Sequence, residues 1–327
     1  MAGRGSRLRP HTLITPKPLV CVAGKPIVQH LVEEIVSVCN EKVEEIAFII
    51  GDFGGEVEES LRNIALKLDA KPKIYYQTQP LGTAHAILCA KNSLKGNCVV
   101  AFADTLFKAK FKLDKLKDGI IWVSKIDDPS SFGVVQLDTN NNISAFIEKP
   151  EKFVSDLAII GIYYFNDGEY LREELQYLID NNIKEKGEYQ LTNALENMQK
   201  KGKVFSPVRV QEWLDCGNKT ATIHTNQRVL VNKGSYISKK AKLKNSKIIE
   251  PCYISSSANI KNSVIGPYVS IGHNTEIENC KIKNTILQGD STILNSNLHN
   301  SMIGRHVFYH SNNTKQTVSL GDYTEVK

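Results

Sequence analysis

Residues 260–298 read IKNSVIGPYVSIGHNTEIENCKIKNTILQGDSTILNSNL, and an aliphatic residue recurs there at every fifth or sixth position. The same spacing continues on both sides of this stretch. The regularly spaced aliphatic residues are Ile237, Leu243, Ile248, Ile254, Ile260, Ile265, Ile271, Ile277, Ile282, Leu287, Ile293, Leu298 and Ile303. A hexapeptide period is the signature of a parallel β-helix of triangular section, in which each coil buries its inward side chains against the next. We therefore predict a left-handed parallel β-helix.

A β-sandwich is the alternative all-β architecture for this region, but it requires alternation of period two, which the sequence lacks. Gly266, Gly272 and Gly304 directly follow inward positions, where we expect corners that need an unhindered backbone. The spacing is lost after Ile303, so we expect an irregular cap at the C-terminal end. The change of texture near Leu230 predicts two domains, residues 1–230 and 231–327.

The N-terminal domain alternates between strand-like and helix-like segments. EIAFII at 45–50 and CVVAFA at 98–103 are short apolar runs, whereas residues 56–68 have helical spacing. This alternation predicts a layered α/β domain with a largely parallel sheet. Ligands of such sheets bind beyond the carboxyl ends of the strands, where Gln77 and Asp104 follow strand-like runs.

Composition excludes several classes of protein. The 327 residues include 41 basic and 35 acidic side chains, a net charge of +6, without the basic block expected of a nucleic-acid-binding protein. The seven cysteines form no C-x-x-C pair, so reduced thiols are favoured over a disulfide framework or a zinc site. No apolar run approaches the roughly 18 residues of a membrane span. No signal peptide is recognisable, and we expect a cytoplasmic protein.

A glycine-rich stretch near the N-terminus predicts a phosphate-binding loop. Gly3 and Gly5 would let backbone N–H groups approach phosphate oxygens. Arg7 and Lys17 would neutralise a triphosphate and a leaving pyrophosphate. The loop has neither the third glycine of a dinucleotide fingerprint nor the G-K-[ST] of a Walker A loop.

Several segments, taken in order, resemble the sugar-phosphate nucleotidyltransferases. The resembling segments are GRGSRLRPHTLITPKPLVCVAGKPIVQH at 3–30, QTQPLGTAHA at 77–86, FADTLF at 102–107, SFGVV at 131–135, EKP at 148–150, GIY at 161–163 and WLDCG at 213–217. The longer members of that family, among them glucose-1-phosphate thymidylyltransferases, also carry a β-helical tail. The resemblance implies an α/β fold: a Rossmann-like mixed-sheet nucleotidyltransferase domain followed by the β-helix.

The resemblance also implies an activity and a set of site residues. The family joins a Mg²⁺-bound nucleoside triphosphate to a sugar 1-phosphate and releases pyrophosphate. By resemblance, the catalytic residues are Arg7 and Lys17, the metal ligands are Asp104 and Asp215, the nucleotide-binding residues are Gly3, Gly5, Ser6, Gln77, Gly82 and Thr83, and the sugar-phosphate-binding residues are Gly133, Glu148, Lys149, Gly161, Tyr163 and Trp213. Without the resemblance, each aspartate is more readily a strand-end turn or a helix cap, and each lysine is more readily a solvated surface charge.

The substrates follow less directly. Gln77 within QTQPLGTAHA suits a pyrimidine, so we expect dTTP or UTP, with glucose 1-phosphate as the sugar. One alternative is a non-catalytic nucleotide-sugar sensor or assembly subunit, although such a protein commonly loses one of the charged residues. Another is a bifunctional enzyme whose β-helix carries acyltransferase activity at one of the histidines 273, 299, 306 or 310. We expect His85 to be structural.

Two further expectations concern the whole chain. Family members begin with a hydrophobic strand that feeds the glycine-rich loop, whereas this sequence begins at that loop. We therefore expect the natural start to lie upstream of Met1. The flat sides of a β-helix pair readily between subunits, so we also expect a homo-oligomer.

Overall fold

The computed structural model describes residues 5–327, so the prediction for Gly3 lies outside the described residues. The chain divides into two compact units, which differ from a simple split of the sequence. The first contains Val32–Ala103 and Phe107–Trp213. The second contains residues 5–31, Asp104–Leu106 and Leu214–Lys327. The boundary at residues 230 and 231 remains a sequence-based prediction.

The helices are few and mostly short. Two 3₁₀ helices cover Ser6–Leu8 and Lys17–Leu19, and the α-helices are α1 Ile27–Val38, α2 Gly55–Leu66, α3 Thr83–Leu88, α4 Gly168–Asp180, α5 Leu191–Lys200 and α6 Lys219–Lys233. Among residues 5–327, no helix is both long enough and apolar enough to cross a membrane.

The strands fall into two groups. Before α6 they are β1 Cys21–Val22, β2 Lys25–Pro26, β3 Glu45–Ile50, β4 Lys71–Tyr76, β5 Cys98–Ala101, β6 Thr105–Lys108, β7 Gly119–Lys125, β8 Gly133–Leu137, β9 Ile143–Glu148, β10 Leu157–Phe165, β11 Phe205–Arg209 and β12 Glu212–Asp215. After α6 they are β13 Tyr236–Ile237, β14 Lys242–Lys244, β15 Lys247–Ile248, β16 Cys252–Ile254, β17 Asn259–Lys261, β18 Val264–Ile265, β19 Val269–His273, β20 Glu276–Glu278, β21 Lys281–Lys283, β22 Ile286–Gly289, β23 Thr292–Leu294, β24 Asn297–His299, β25 Met302–Arg305, β26 Phe308–His310, β27 Lys315–Gln316, β28 Ser319–Leu320 and β29 Glu325–Val326.

The main sheet of the first unit is mixed and mostly antiparallel. Its order is β11-β7-β10-β8-β9, with β5 also paired to β10. Only β11 and β7 run parallel within this sheet, while β3 and β4 form a separate parallel pair. The largely parallel sheet expected from the alternation is therefore wrong, and the mixed sheet implied by the resemblance is confirmed. The short link at 138–142 between β8 and β9 explains the difference, because only antiparallel neighbours can be joined by so few residues.

The core of the first unit lies where helices α3, α4 and α5 cover this sheet. Helix α4 begins at Gly168, after Asp167 accepts a hydrogen bond from the Tyr170 amide as its N-cap. Its apolar face, including Leu171 and Leu175, is completely buried. The rings of Phe146 and Phe205 meet edge to face at 5.7 Å within the same core.

The second unit contains a parallel β-helix built from three sheets. Strands β13, β16, β19, β22, β25 and β28 form one sheet, and the other two sheets take the remaining strands in the same rotation. Each strand pairs in register with the strand one coil later, as Ile254 pairs with Ile271 and Ile271 with Leu287. Every aliphatic position of the hexapeptide pattern falls in one of the three inward ladders. The predicted parallel β-helix is confirmed.

One further coil follows Ile303, so the expected irregular cap is wrong. Val326 pairs in register with Tyr309, which pairs with Ile293, and Gln316 pairs with Leu298. The Tyr309 hydroxyl donates a hydrogen bond to the Gln316 side-chain oxygen. The aliphatic pattern stops at Ile303 because an aromatic residue and a hydrogen-bonded side-chain amide occupy the next two inward positions. The coil itself continues.

The corners of the β-helix explain why asparagine is frequent there. Asn245 and Asn262 occupy the left-handed region at φ +48°, which short polar side chains tolerate better than most. The side-chain NH₂ group of Asn245 donates a hydrogen bond to the side-chain oxygen of Asn262 at 2.9 Å, so successive corners are linked. Gly266 has φ +109°, as expected of a corner. Gly272 lies within β19 instead, where an added Cβ would meet the Gln288 carbonyl oxygen at 2.1 Å.

Candidate active site

The glycine-rich segment folds into a tight turn in the second unit. Gly5 has φ +59°, in the left-handed region that favours glycine. A Cβ at Gly5 would lie 3.0 Å from Cβ of Lys17. The Gly5 carbonyl accepts hydrogen bonds from the Thr12 hydroxyl at 2.7 Å and from the Leu8 amide at 3.0 Å. The turn therefore brings the 3₁₀ helix that carries Ser6 and Arg7 close to Lys17.

Four predicted charged residues form one cluster in this unit. Lys17 Nζ lies 2.9 Å from Asp104 Oδ2, and the Lys17 side chain is only 8% exposed. Burial raises the pKa of Asp215, and the charge of Asp104 raises it further, while Lys17 and Arg7 oppose this shift. The charges of Asp104, Lys17 and Arg7 therefore all reach Asp215.

The backbone holds the two aspartates together. The Cys216 amide donates to the Asp104 carbonyl at 3.1 Å. Oδ1 of Asp215 accepts a hydrogen bond from the Gly217 amide at 2.8 Å, and the Asp215 carbonyl accepts one from the Thr225 hydroxyl at 2.8 Å. These bonds fix Asp215 at the end of β12, and neither of them uses Asp215 Oδ2.

The donor set fits a divalent ion that shares its ligands with a substrate. Among the described residues, no group of three or more His, Cys, Asp or Glu side chains could hold a metal. Asp104 and Asp215 would supply two carboxylates. Mg²⁺ is commonly held by one or two carboxylates, with substrate phosphates and water completing its shell. The pair therefore suits Mg²⁺ that arrives with a nucleotide.

Side chains of α6 and the β-helix hold the segment that follows Lys17. Gln288 pairs with the Cys21 backbone twice, accepting from the amide and donating to the carbonyl, each at 3.0 Å. The fully buried Asn226 accepts from the Ala23 amide at 2.8 Å and from the Ser270 hydroxyl at 2.6 Å. The sequence alone did not identify Gln288 and Asn226 as contributors to this region. No local pattern identifies them, because Cys21 lies more than 200 residues away from both in the sequence.

His11, which is 3% exposed, makes a second contact between the N-terminal segment and the β-helix. Its Nε2 lies 3.0 Å from the Ser319 hydroxyl. Burial lowers the pKa of His11 to about 4, because the favourable charge of Asp322 does not compensate for lost hydration. The imidazole is therefore neutral when the protein is folded at neutral pH.

We expect His11 to make the protein less stable in mild acid. Between the unfolded pKa near 6.5 and the folded value of about 4, the unfolded chain binds more protons. The contribution of the neutral His11 to stability is therefore fully present above pH 7, and the free energy of unfolding falls by about 2 kcal/mol between pH 7 and pH 5. Thermal unfolding of wild type and His11→Gln at both pH values measures the effect. The variant should lose less stability, and an equal loss in both proteins would exclude His11 as the cause.

The predicted base-binding residues lie together in the first unit. Gln77 directly follows β4, and its amide nitrogen lies 3.1 Å from both the Gly82 carbonyl oxygen and His85 Nδ1. Gly82 precedes α3 with φ +115°, and an added Cβ would meet the Tyr189 carbonyl oxygen at 2.4 Å. Packing against the backbone therefore requires glycine here. The Thr83 hydroxyl donates a hydrogen bond to the Gln190 side-chain oxygen at 3.2 Å, and the same hydroxyl accepts one from the Leu191 backbone amide at 2.9 Å.

The predicted sugar-binding residues centre on Glu148. Gly133 pairs in register with Glu148, and a Cβ at Gly133 would lie 2.9 Å from Glu148 Oε2. Lys149 Nζ lies 3.8 Å from Glu148 Oε1, and this lysine side chain is 58% exposed. Burial raises the pKa of the Tyr163 hydroxyl, and the charge of Glu148 adds to the shift. An acceptor and an exposed cation therefore lie side by side.

Aromatic packing shapes the surroundings of this group. Gly161 has φ +81°, and its carbonyl accepts from the Phe102 amide at 2.9 Å. The Phe102 and Tyr163 rings meet edge to face at 5.8 Å, and Tyr163 belongs to the buried core. Trp213 packs against Phe132 in the same manner at 4.8 Å. The structure thus places Tyr163 as a core aromatic beside Glu148, where its role in sugar binding stays a prediction.

Comparisons with known proteins place the chain in a family. The model of the nucleotidyl transferase family matches residues 1–232, and the model of the GlmU-like C-terminal hexapeptide domain matches residues 216–287. A glucose-1-phosphate thymidylyltransferase of Streptomyces antibioticus is 29% identical over 99% of this chain and 97% of its own length. A bifunctional protein GlmU of Methanococcus maripaludis (strain C7) is 33% identical over 70% of this chain. The aligned region covers 53% of that relative, so this chain spans about half of its length.

The fold agrees with solved structures. A UDP-glucose pyrophosphorylase from Acinetobacter baumanii aligns with a TM-score of 0.56 at 22% identity, over 71% of this chain and 92% of that one. At this identity the likeness concerns the fold alone. The family model covers more than two thirds of the sequence, and its match begins at the loop that carries Arg7 and Lys17. This chain therefore belongs to the nucleotidyl transferase family and carries a GlmU-like hexapeptide domain.

Proposed function

We propose that this protein makes a nucleotide sugar and pyrophosphate from dTTP or UTP and glucose 1-phosphate. The observation that carries the proposal is the cluster of Arg7, Lys17, Asp104 and Asp215, in which Lys17 is buried beside Asp104 at 2.9 Å. The relative from Streptomyces antibioticus, whose similarity extends over nearly the whole chain, supports the choice of a thymidylyl donor and glucose 1-phosphate.

The chemistry requires charge neutralisation more than proton transfer. A phosphate oxygen of the sugar 1-phosphate forms a bond to the α-phosphorus, and the bond from that phosphorus to the pyrophosphate oxygen breaks. Since the nucleophile is already an anion, no general base is needed. The difficulty is that two polyanions must meet, so catalysis rests on positioning and electrostatic stabilisation.

Each charged residue has a task in this scheme. Lys17 and Arg7 would neutralise the triphosphate and stabilise the departing pyrophosphate. Asp104 and Asp215 would hold Mg²⁺, which withdraws charge from phosphate oxygens when bound. Lys17, whose Nζ lies 2.9 Å from Asp104 Oδ2, would place a fixed positive charge beside the carboxylates that would hold the ion.

Residues identified by the resemblance would supply recognition of the sugar. Glu148 would accept hydrogen bonds from sugar hydroxyls, and Lys149, whose side chain is 58% exposed, would bind the sugar phosphate. The backbones at Gly133 and Gly161 would add further hydrogen bonds. Gln77 and the backbone at Gly82 would contact the base, as developed below.

A substrate matrix tests the proposal. Pyrophosphate release is measured with Mg²⁺ for ATP, CTP, GTP, UTP and dTTP against a panel of sugar 1-phosphates. We expect the highest kcat/KM with dTTP or UTP and glucose 1-phosphate. No turnover with any pair would favour the alternative of a non-catalytic nucleotide-sugar sensor, and turnover confined to another sugar would replace glucose 1-phosphate in the proposal.

A second activity in the β-helix is favoured by one observation. Of the histidines considered for acyl transfer, His273 has an acidic partner: its Nε2 lies 2.9 Å from Asp290 Oδ2, and its side chain is 50% exposed. His306 stacks on Tyr323, and His299 is hydrogen-bonded to the Gln316 carbonyl. An imidazole oriented by a carboxylate is suited to general-base catalysis. Acetyl-CoA consumption with glucosamine 1-phosphate, compared between wild type and His273→Ala, distinguishes this function.

A further inference from the structure

The side-chain amide of Gln77 is fixed in one orientation. Its nitrogen lies 3.1 Å from the carbonyl oxygen of Gly82. A carbonyl oxygen can only accept, so the NH₂ group of Gln77, not its oxygen, must face Gly82. This contact settles an orientation that the shape of an amide alone leaves open.

His85 engages the second hydrogen of the same NH₂ group. Its Nδ1 lies 3.1 Å from the Gln77 nitrogen, so Nδ1 must be the acceptor and the ring proton must sit on Nε2. Burial lowers the pKa of His85, which favours the neutral ring that this contact requires. His85 lies in the first turn of α3, which follows Gly82, so one short segment supplies both acceptors.

We propose that His85 is a positioning residue that sets the base preference of the enzyme through Gln77. With both N–H bonds engaged, Gln77 can offer a ligand only its oxygen, as an acceptor. The oxygen suits a nucleobase whose edge carries a ring N–H beside a carbonyl, which is the imide of uracil or thymine and the lactam of guanine. This inference rests on the proposed function, because it assumes that Gln77 contacts the base.

Adenine is disfavoured for the same reason. A free glutamine amide pairs with adenine through two hydrogen bonds, donating one and accepting the other. Where uracil or thymine would present its ring N–H to the Gln77 oxygen, adenine presents an unprotonated ring nitrogen, so two acceptors would face each other, and Gln77 has no hydrogen left to donate. Sites with unpaired polar groups discriminate strongly against the ligand that leaves them unpaired. His85 therefore acts without touching the base, by consuming the donor that adenine needs.

Three variants test the proposal in the full chain. His85→Leu removes the acceptor, His85→Asn keeps an oxygen acceptor at the δ1 position, and His224→Leu is the matched control on the exposed face of α6. Nucleotide binding with Mg²⁺ is measured by calorimetry for dTTP, UTP, GTP and ATP, and KM and kcat are measured in parallel. We expect His85→Leu to lower the affinity ratio of dTTP or UTP over ATP at least tenfold, while His85→Asn and His224→Leu retain it.

If His85 positions Gln77, the KM for the nucleotide should rise in His85→Leu, while kcat and the KM for the sugar phosphate stay near wild type. A merely structural role predicts a different pattern. Unchanged base selectivity in His85→Leu, or equal loss in His85→Asn, would overturn the proposal. Since binding is measured without sugar, selective nucleotide binding without turnover would contradict only the proposed function.

One measurement reports the tautomer of His85 directly, and the spectrum of His85→Asn identifies its signal among those of the eight histidines. In protein carrying ¹⁵N-labelled histidine, the nitrogen chemical shifts report which ring nitrogen of His85 bears the proton. We expect the proton on Nε2 in the unliganded wild-type enzyme. A proton on Nδ1 would refute the proposed orientation of Gln77, whether or not the leucine variant folds.

Discussion

Asp104→Asn and Asp215→Asn are each expected to slow pyrophosphate release by about a thousandfold or more, which corresponds to roughly 4 kcal/mol of transition-state stabilisation. An amide oxygen is a far weaker ligand for Mg²⁺ than a carboxylate, and each substitution would remove one of the two proposed carboxylate ligands. The rate is measured with saturating nucleotide and sugar phosphate over a Mg²⁺ titration. Asp69→Asn, at an exposed carboxylate with φ +60°, is the matched control.

The two variants should differ in stability. Burial raises the pKa of Asp215, so its ionised form is disfavoured in the folded protein, and Asp215→Asn should unfold at the same temperature as wild type or higher. Asp104→Asn leaves the ammonium group of Lys17, 8% exposed, without its carboxylate, and should be destabilised by about 1–3 kcal/mol. Near-normal activity in both variants would mean that the metal ligands are assigned wrongly.

Lys17→Met is expected to reduce kcat/KM by on the order of a hundredfold to a thousandfold, because a buried cation facing a phosphate is a major source of electrostatic stabilisation. Methionine keeps most of the apolar stem and removes the charge. Asp104 is 47% exposed and can be hydrated when its partner is removed, so the melting temperature should change little. Steady-state pyrophosphate release and thermal unfolding measure the two effects, with Lys67→Met, at the end of α2, as control.

Lys17→Arg should not restore activity. Cβ of Lys17 lies against the Gly5 backbone, and the side chain is nearly enclosed. A planar guanidinium is larger than an ammonium and cannot take its place as a compact point charge. Full activity in Lys17→Met would show that Lys17 does not contact the reacting phosphates, and full activity in Lys17→Arg would show that the site does not require a compact ammonium group.

Local patterns predicted some features because their physical cause is local. In the β-helix, each inward residue meets its counterpart one coil away, as Ile260 meets Ile277, so the fold repeats in the sequence itself. The same reasoning failed after Ile303, where Tyr309 and Gln316 continue the coil without an aliphatic signal. It failed also for the sheet of the first unit, since alternating strands and helices do not reveal which strands become neighbours.

The charged cluster shows what motif resemblance can predict and what it cannot. Motif resemblance identified Lys17, Asp104 and Asp215 as candidates, but it carried no information about their contacts. The ion pair of Lys17 with Asp104 joins residues 87 positions apart, and only folding brings them together. His85 was expected to be structural. Its contact with Gln77 arises only because the turn at Gly82 places the Gly82 carbonyl oxygen and the His85 ring beside the side-chain amide of Gln77.

By itself, the sequence determined the repeating coil of the β-helix and the residue types available for phosphate chemistry, because a period of five or six residues and an ordered set of motifs are properties of the linear chain. Tertiary structure alone decided the antiparallel neighbours of β10, the hydrogen bonds between Cys21 and Gln288, and the hydrogen bond that His85 accepts from Gln77. These features depend on pairs of groups from different segments, and hydrogen bonds between such groups have no periodic trace in the sequence.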